Sequence, residues 1–196
     1  RHALNHYGIQ VDDLDTLTPF IGPPLTDSYK KYYGFSDEQA WEGVLVYREY
    51  FSERGWHENK EYPGIKEMLD ALKKAGKVLL VATSKPEEFG RKILEYFGMA
   101  GYFDFIGGAD MEETRVRKAD VIRYVLEQYG LDRTPETLAR CVMVGDREHD
   151  VLGARECGMD CVGVLYGYGD RREMDGCRPA WTADTVDELK DLLLIL

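Results

Sequence analysis

Hydrophobic positions follow two different patterns along the chain, and the change falls near residue 60. Up to that point apolar residues recur at helical spacing, with aromatic side chains among charged ones, which predicts helices over 27–33 and 36–54. Ser36 is the predicted N-cap of the second helix. The preceding segment FIGPPL, 20–25, is predicted to be a stiff turn because its prolines cannot stand inside a helix. Residues 1–60 are therefore predicted to form a helical domain.

From Tyr62 onwards, short apolar runs alternate with amphipathic helical stretches. Strands are predicted at 78–83, 103–108, 141–145, 161–167 and 180–183. Helices are predicted at 65–76, 86–98, 118–130, 149–158 and 186–196. Strands that are apolar from end to end indicate a parallel sheet that helices cover on both faces. The fold class predicted for residues 61–196 is therefore α/β, with a doubly wound parallel sheet.

The composition limits the classes of binding partner and the cellular location that we expect. The chain has 196 residues with 36 acidic and 25 basic side chains, for a net charge of −11. Nucleic acids and anionic lipid surfaces attract basic patches, so the excess of acids argues against both as partners. No apolar run approaches the ~18 residues of a membrane span, and residues 1–8 resemble neither a signal peptide nor a transit peptide. We expect a cytoplasmic protein, and its oligomeric state stays open.

The cysteines are predicted to be reduced thiols, because a chain of this length can form a core without disulfides. There are four of them: Cys141, Cys157, Cys161 and Cys177. Cys141 and Arg147 have the C-x5-R spacing of cysteine phosphatases. The residues between them form an apolar strand that ends in Asp146, whose charge would repel a phosphate. We therefore reject a cysteine nucleophile.

Polar side chains suited to phosphate or metal binding follow the predicted strands. Thr83 and Ser84 end the first strand, where a hydroxyl and free backbone N–H groups before a helix form an anion site. Asp146 and Asp150 follow the strand at 141–145, and both carboxylates can point at one hard cation such as Mg²⁺. Lys118 opens a helix, where its ammonium can reach a phosphate. Because ligands bind beyond the carboxyl ends of such strands, we expect these side chains to meet there.

Each of these residues also has a purely structural explanation. Thr83 can be a helix N-cap, Asp150 can be an N-cap or a partner of the helix dipole, and Lys118 can be a solvated lysine. Their coincidence at the strand ends of one sheet favours the functional reading. A dinucleotide site is excluded because no complete G-x-G-x-x-G motif follows a strand, and Gly167-Tyr168-Gly169 is only a partial match.

Taken in order, the segments VLLVATSKP, Lys118 and VMVGDREHD resemble motifs II, III and IV of the haloacid dehalogenase superfamily of phosphohydrolases. The segments FIGPPLTDSY, YPGIKEMLDALKKAGK and GVLYGYGDRREM further resemble its phosphoglycolate phosphatase-like branch, which also includes enzymes called 5′-nucleotidases. The resemblance extends over nearly the whole chain. It implies a helical cap domain for residues 1–60 and a Rossmannoid core domain for residues 61–196.

The resemblance also implies a mechanism, the Mg²⁺-dependent hydrolysis of a small phosphate ester through an aspartyl-phosphate intermediate. Asp146 and, directly or through water, Asp150 would hold the cation together with the nucleophile and a backbone carbonyl. The Thr83 hydroxyl and the Ser84 N–H would bind the transferring phosphoryl group. Lys118 would neutralise the charge of that group and orient the nucleophile.

The cap is expected to contact the part of the substrate that does not react. Arg48 would hold a carboxylate or a second phosphate there, with a solvated arginine as the alternative. The roles of four further cap residues stay open: Gly22, Pro23, Pro24 and Lys60. Phosphoglycolate, nucleotides and sugar phosphates all remain open as substrates.

The first motif of the superfamily, DxDx[TV] after a buried strand, is not found in the chain. The segment 13–17, DLDTL, lacks Thr or Val at its fifth place and follows no buried strand, so we reject it as the nucleophile. We expect the nucleophile to lie upstream of Arg1, on a central strand between those ending at Thr83 and Gly145, and residues 1–196 alone to be inactive. A second class of protein, a phosphoryl-binding or regulatory module without turnover, stays open.

Overall fold

The computed structural model describes all of residues 1–196. Helices are the only regular secondary structure in residues 1–59. The helices are α1 (His2–His6), α2 (Leu25–Tyr33) and α3 (Asp37–Glu53), with short 3₁₀ helices at Leu14–Phe20 and Gly55–His57. At the start of α3 the Gln39 N–H donates to Ser36 Oγ at 3.2 Å, and the Ser36 N–H donates to Gln39 Oε1 at 3.0 Å. This reciprocal cap confirms the N-cap predicted at Ser36.

The core of this helical unit, Arg1–Asn59, combines aliphatic and aromatic side chains. Tyr29 of α2 is buried and stacks on Phe35, with ring centroids 5.5 Å apart. Gly43 of α3 lies under the Tyr29 ring, where a Cβ would stand 3.1 Å from Cε2. The rejected segment 13–17 enters a 3₁₀ helix in which Asp13 accepts the Asp15 N–H at 3.0 Å, so it is no buried strand.

The second unit, Lys60–Leu196, alternates strands and helices. The strands are β1 (Leu80–Pro86), β2 (Phe105–Ala109), β3 (Val142–Gly145), β4 (Asp160–Val164) and β5 (Trp181–Ala183). The helices are α4 (Ile65–Lys74), α5 (Glu87–Tyr96), α6 (Lys118–Tyr129), α7 (Pro135–Leu138), α8 (Glu148–Glu156), α9 (Arg171–Cys177) and α10 (Val186–Ile195), with a 3₁₀ turn at Ala100–Tyr102. None of the helices combines the length and the hydropathy needed to span a bilayer.

Every strand pair in this unit is parallel, which confirms the predicted α/β class. β1 pairs with β2, and β3, β4 and β5 form a second ladder in that order. The registers align Leu80 with Phe105, Val142 with Asp160, and Val162 with Trp181. β1 and β3 are not paired with each other, so each forms one edge of its own ladder.

Helices cover both faces of the second ladder. Successive residues of β4 point to opposite faces and therefore pack against different helices. Val162 and Val164 pack with residues of α4 and α10, among them Leu72 and Leu189. Cys161 packs on the other face with residues of α6 and α8. The alternation along β4 thus separates two apolar clusters, as expected for a doubly wound sheet.

Several predicted element boundaries are wrong. β1 begins at Leu80 instead of 78 and continues through Pro86, with an irregular register between Thr83 and Pro86. Thr83 therefore lies within the strand and is not a helix N-cap; Pro86 precedes α5. Three further elements, α7, α9 and the 3₁₀ helix at Leu14–Phe20, were not predicted, because they are short and lack a clear apolar period.

Candidate active site

A buried ion pair joins two of the predicted site residues. Lys118, the first residue of α6, places Nζ 2.9 Å from Asp150 Oδ1 on α8. The same ammonium donates to the Ala82 carbonyl of β1 at 2.9 Å. Gly153 lets α8 approach this closely, since a Cβ there would lie 2.7 Å from Lys118 Cγ. Lys118 thus connects α8 to β1, and it is not the solvated lysine of the structural alternative.

Asp150 also shapes the turn after β3. Its Oδ2 accepts the backbone N–H groups of Asp146 and Arg147, both at 3.1 Å. A Cβ at Gly145 would overlap the Asp150 side chain, so the turn requires the glycine for space. Asp150 is therefore not the N-cap of α8, which is Arg147; it is the third residue of the helix, and its carboxylate reaches back to the Arg147 N–H in the first turn, where the helix dipole favours a negative charge.

Asp146 stands on this turn directly after β3. Its Oδ2 accepts the Tyr168 backbone N–H at 2.8 Å, and no hydrogen bond reaches its Oδ1. The loop around Tyr168 follows β4, the neighbouring strand, so two strand ends meet at this carboxylate. Gly167-Tyr168-Gly169, which matches a dinucleotide motif only in part, therefore has a contact here that its sequence does not predict.

The end of β1 contributes a hydroxyl, that of Thr83. The Lys85 N–H donates to Thr83 Oγ1 at 3.1 Å, a bond that leaves the Thr83 hydroxyl proton available. Ser84 lies between them in the irregular part of the strand. Burial lowers the pKa of the Lys85 ammonium, because an apolar environment disfavours the charged form. The Ala82 carbonyl that accepts Lys118 directly precedes Thr83.

Two tyrosines lie within electrostatic reach of Asp146. The rings of Tyr62 and Tyr166 meet edge to face, with centroids 5.1 Å apart. Burial, with smaller contributions from Tyr62 and from the Asp146 charge, raises the pKa of Tyr166 to about 12. Tyr166 is therefore a neutral phenol at physiological pH.

The predicted site residues divide into two groups. Lys118, Asp146 and Asp150 form one connected cluster, which Thr83 and Ser84 adjoin through Ala82. Arg48 belongs to the other unit, on α3, where its guanidinium lies over the Trp41 ring at 5.4 Å from the centroid.

A second ion pair, missed in the sequence, secures the start of α8. Arg147 Nε donates to Glu173 Oε1 of α9 at 2.9 Å, and the Glu148 N–H donates to the same oxygen at 2.7 Å. α9 is itself capped by Asp170, which accepts the Glu173 N–H at 2.7 Å. The signal was the D-x-x-E spacing of Asp170 and Glu173, an N-terminal helix pattern.

The donor chemistry of the cluster fits a hard cation, with Asp146 as the carboxylate best placed to bind it. Its Oδ1 makes no hydrogen bond, whereas Asp150 uses one oxygen for two amides and the other for Lys118. No group of three or more His, Cys, Asp or Glu side chains in residues 1–196 is arranged to hold a metal ion. Backbone carbonyls, water and substrate oxygens complete many Mg²⁺ sites.

Relatives with assigned names match nearly the whole chain. The 5′-nucleotidase of Pseudomonas aeruginosa is 40% identical over 193 residues, which are 98% of this chain and 85% of that protein. The tyrosine-protein kinase PtkA of Mycobacterium tuberculosis is 42% identical over 195 residues, 98% of this chain but only 65% of that protein. Phosphoglycolate phosphatases match at lower identity, 32% over 162 residues for that of Neisseria meningitidis, or 81% of this chain and 67% of that protein.

A solved structure and a family model agree with these relatives. The crystal structure of a predicted phosphatase from Clostridium acetobutylicum superimposes with a TM-score of 0.94 at 41% identity, over 100% of this chain and 88% of that chain. The family model described as haloacid dehalogenase-like hydrolase matches residues 1–164. The resemblance inferred from the motifs is confirmed, and the chain belongs to the family of haloacid dehalogenase-like hydrolases.

Proposed function

We propose that the protein is a Mg²⁺-dependent phosphomonoesterase that acts on a small phosphorylated metabolite through an aspartyl-phosphate intermediate. The observation that carries this proposal is the position of the Lys118 ammonium, held between the Ala82 carbonyl and the Asp150 carboxylate close to Asp146. A fixed cation and an available carboxylate oxygen at the ends of β1 and β3 suit a phosphate ester together with a divalent cation. We assign no nucleophile within residues 1–196.

Each residue of the cluster has a defined role in this proposal. The Thr83 hydroxyl and the Ser84 N–H bind the phosphoryl oxygens, and Lys118 balances their negative charge. Asp146 holds the cation, and Asp150 fixes Lys118 and the turn that carries Asp146. The bound Mg²⁺ would supply positive charge that stabilises the phosphoryl group during transfer. Removing one such preorganised contact typically costs ~3–4 kcal/mol of transition-state stabilisation.

The two units have different parts in the proposal. Residues 61–196 form the hydrolase core, and residues 1–60 form a helical cap that contacts the non-reacting part of the substrate. Arg48 is the cap residue proposed for that contact. In this reading the core performs the chemistry and the cap selects among phosphate esters.

Two substrate classes have separate support. The motifs resemble those of phosphoglycolate phosphatases, which favours a small phosphorylated acid. The similarity to the Pseudomonas aeruginosa 5′-nucleotidase, at 40% identity over 85% of that protein, favours a nucleoside 5′-monophosphate. Rates of phosphate release from 2-phosphoglycolate and from a set of nucleoside 5′-monophosphates distinguish the two.

The proposal is tested by phosphate release from p-nitrophenyl phosphate with the full-length protein. We expect hydrolysis with Mg²⁺ and none with EDTA, and we expect Asp146→Ala to abolish it. Asp175→Ala, on the exposed side of α9, is the matched control and should keep full activity. Activity that survives both EDTA and Asp146→Ala would contradict the assignment.

Two further assays on the same protein test the other classes of function, a protein kinase and a regulatory phosphoryl-binding module. Transfer of phosphate from ATP to tyrosine, the activity in the name of PtkA, would appear as labelled protein instead of free phosphate. Binding of a phosphate analogue such as tungstate without any turnover would favour a regulatory phosphoryl-binding module. Either result would replace the phosphomonoesterase proposal.

A further inference from the structure

The loop after β4 lies against Asp146 so closely that its two glycines have no room for a side chain. A Cβ at Gly167 would overlap Cβ of Asp146 and stand 2.5 Å from its Oδ2. A Cβ at Gly169 would overlap the Asp146 backbone oxygen and stand 3.2 Å from Met174 Cε. Neither glycine has a positive φ, so both are required for space and not for an unusual backbone conformation.

The same loop holds one oxygen of the carboxylate. The Tyr168 N–H donates to Asp146 Oδ2 at 2.8 Å, and Oδ1 is left without a hydrogen bond. Asp146 is thereby fixed from two sides, because Asp150 accepts its backbone N–H at 3.1 Å while the loop holds its side chain. A carboxylate held at one oxygen presents the other in a constant direction, which is how second-shell groups orient metal ligands.

We propose that Gly167–Tyr168–Gly169 is a positioning element that sets the affinity of Asp146 for Mg²⁺, an inference that rests on the proposed function. The loop binds Oδ2 through a backbone donor and packs against Cβ, so Oδ1 alone faces the cation. The two glycines keep the backbone near enough for that hydrogen bond to form. The Tyr168 residue acts through its backbone N–H in this scheme.

The inference is tested with Gly167→Ala, using Gly101→Ala as the control because a Cβ at Gly101 meets nothing within 4 Å. A metal ion that binds only the folded protein raises its melting temperature. The Mg²⁺ concentration that gives half of the maximal rise therefore reports the affinity for Mg²⁺ without any assay of activity. We expect Gly167→Ala to raise that concentration by about 10- to 100-fold, the usual cost of disturbing a second-shell partner. Gly101→Ala should leave it unchanged.

The outcomes separate this inference from the proposed function. A wild-type melting temperature that does not respond to Mg²⁺ would overturn both. A response in the wild type that is the same in Gly167→Ala would overturn the positioning role alone. Equal Mg²⁺ dependence of Gly167→Ala and Gly101→Ala would have the same meaning even if the first variant melted at a lower temperature.

A second variant covers the case in which Gly167→Ala does not fold. Asp146→Gly removes the Cβ and the carboxylate that the new methyl group would meet. We expect the double variant Asp146→Gly/Gly167→Ala to fold and to melt at the temperature of Asp146→Gly alone. A double variant that also fails to fold would locate the clash away from Asp146 and overturn the inference.

Discussion

Single carboxylates in the candidate site have more than one physical task. Asp150 is buried, yet its two oxygens have partners on two elements: the turn after β3, at the Asp146 and Arg147 amides, and α6, at Lys118. Burial of a charge is costly unless it is paired and hydrogen-bonded, and Asp150 meets both conditions. The structural and the functional explanations of this residue are therefore compatible.

Asp150→Ala is expected to destabilise the core unit by about 3–5 kcal/mol, because it leaves the Lys118 ammonium buried without its partner and two amides unbonded. The measurement is the free energy of unfolding in urea, without Mg²⁺, so that metal binding does not contribute. The control Asp175→Ala should stay within about 0.5 kcal/mol of the wild type. Equal stability of the two variants would show that the pair with Lys118 contributes nothing.

At this scale the sequence predicted the cluster but not all of its contacts. Lys118, Asp146 and Asp150 could be selected because the carboxyl ends of parallel strands share one edge of a sheet. The Tyr168 and Glu173 contacts could not, since they depend on a backbone approach and on a helix that no apolar period indicated. Glycines required only for space carry no local signal, because their φ values are ordinary.

Among the elements, α4 and the start of β2 are joined by one carboxylate. Asp104 accepts the Lys73 ammonium of α4 at 2.8 Å with both oxygens, and the Leu79 N–H ahead of β1 at 2.9 Å. The hydrogen bond from Lys73, followed by that from Leu79, lowers the pKa of Asp104. The ionised form therefore stabilises the fold, and this contribution depends on pH.

Asp104→Asn should lower the urea midpoint at pH 7, and the difference from the wild type should narrow as the pH falls. A carboxyl whose pKa is lowered by folding stabilises fully above its unfolded pKa of about 3.9 and loses that contribution as the pH drops through the folded value. Unfolding curves between pH 7 and pH 3 measure this change. Asp175→Asn is the control, and a constant difference across the range would exclude the linkage.

Most errors in the predicted elements concern where an element begins or ends. β1 runs on through Pro86 because its register shifts after Thr83, a distortion that hydrophobic spacing does not encode. α9 was missed because its seven residues are mostly charged and its N-cap, Asp170, lies in a glycine-containing loop. Long amphipathic helices such as α6 were predicted to within one residue, since burial of one face determines them.

For the whole molecule, the main feature is the division at Asn59 and Lys60. The helical unit has its own apolar core, and the α/β unit has two apolar clusters of its own. Residues 59–62 belong to no helix or strand and are exposed. Segments of this kind are preferred sites of proteolysis.

Limited digestion with trypsin is expected to cut first after Lys60 and to release fragments 1–60 and 61–196. Mass spectrometry of the earliest products identifies the cleavage site. Lys60→Gln is the control and should suppress this pair of fragments. An earliest cut inside α3 or inside the α/β unit would contradict the division of the chain into these two units.

The position of α9 also bears on the order in which the molecule matures during synthesis. The Lys118–Asp150 ion pair needs only residues up to α8. The hydrogen bonds of Asp146 and Arg147 also need Tyr168 and Glu173, which are synthesised later. A nascent chain that ended before Gly167 would contain every candidate residue, yet Asp146, the carboxylate proposed to bind the cation, would lack its hydrogen bond from Tyr168. On the proposed function, the orientation of Asp146 is therefore complete only when the chain has been synthesised beyond Glu173.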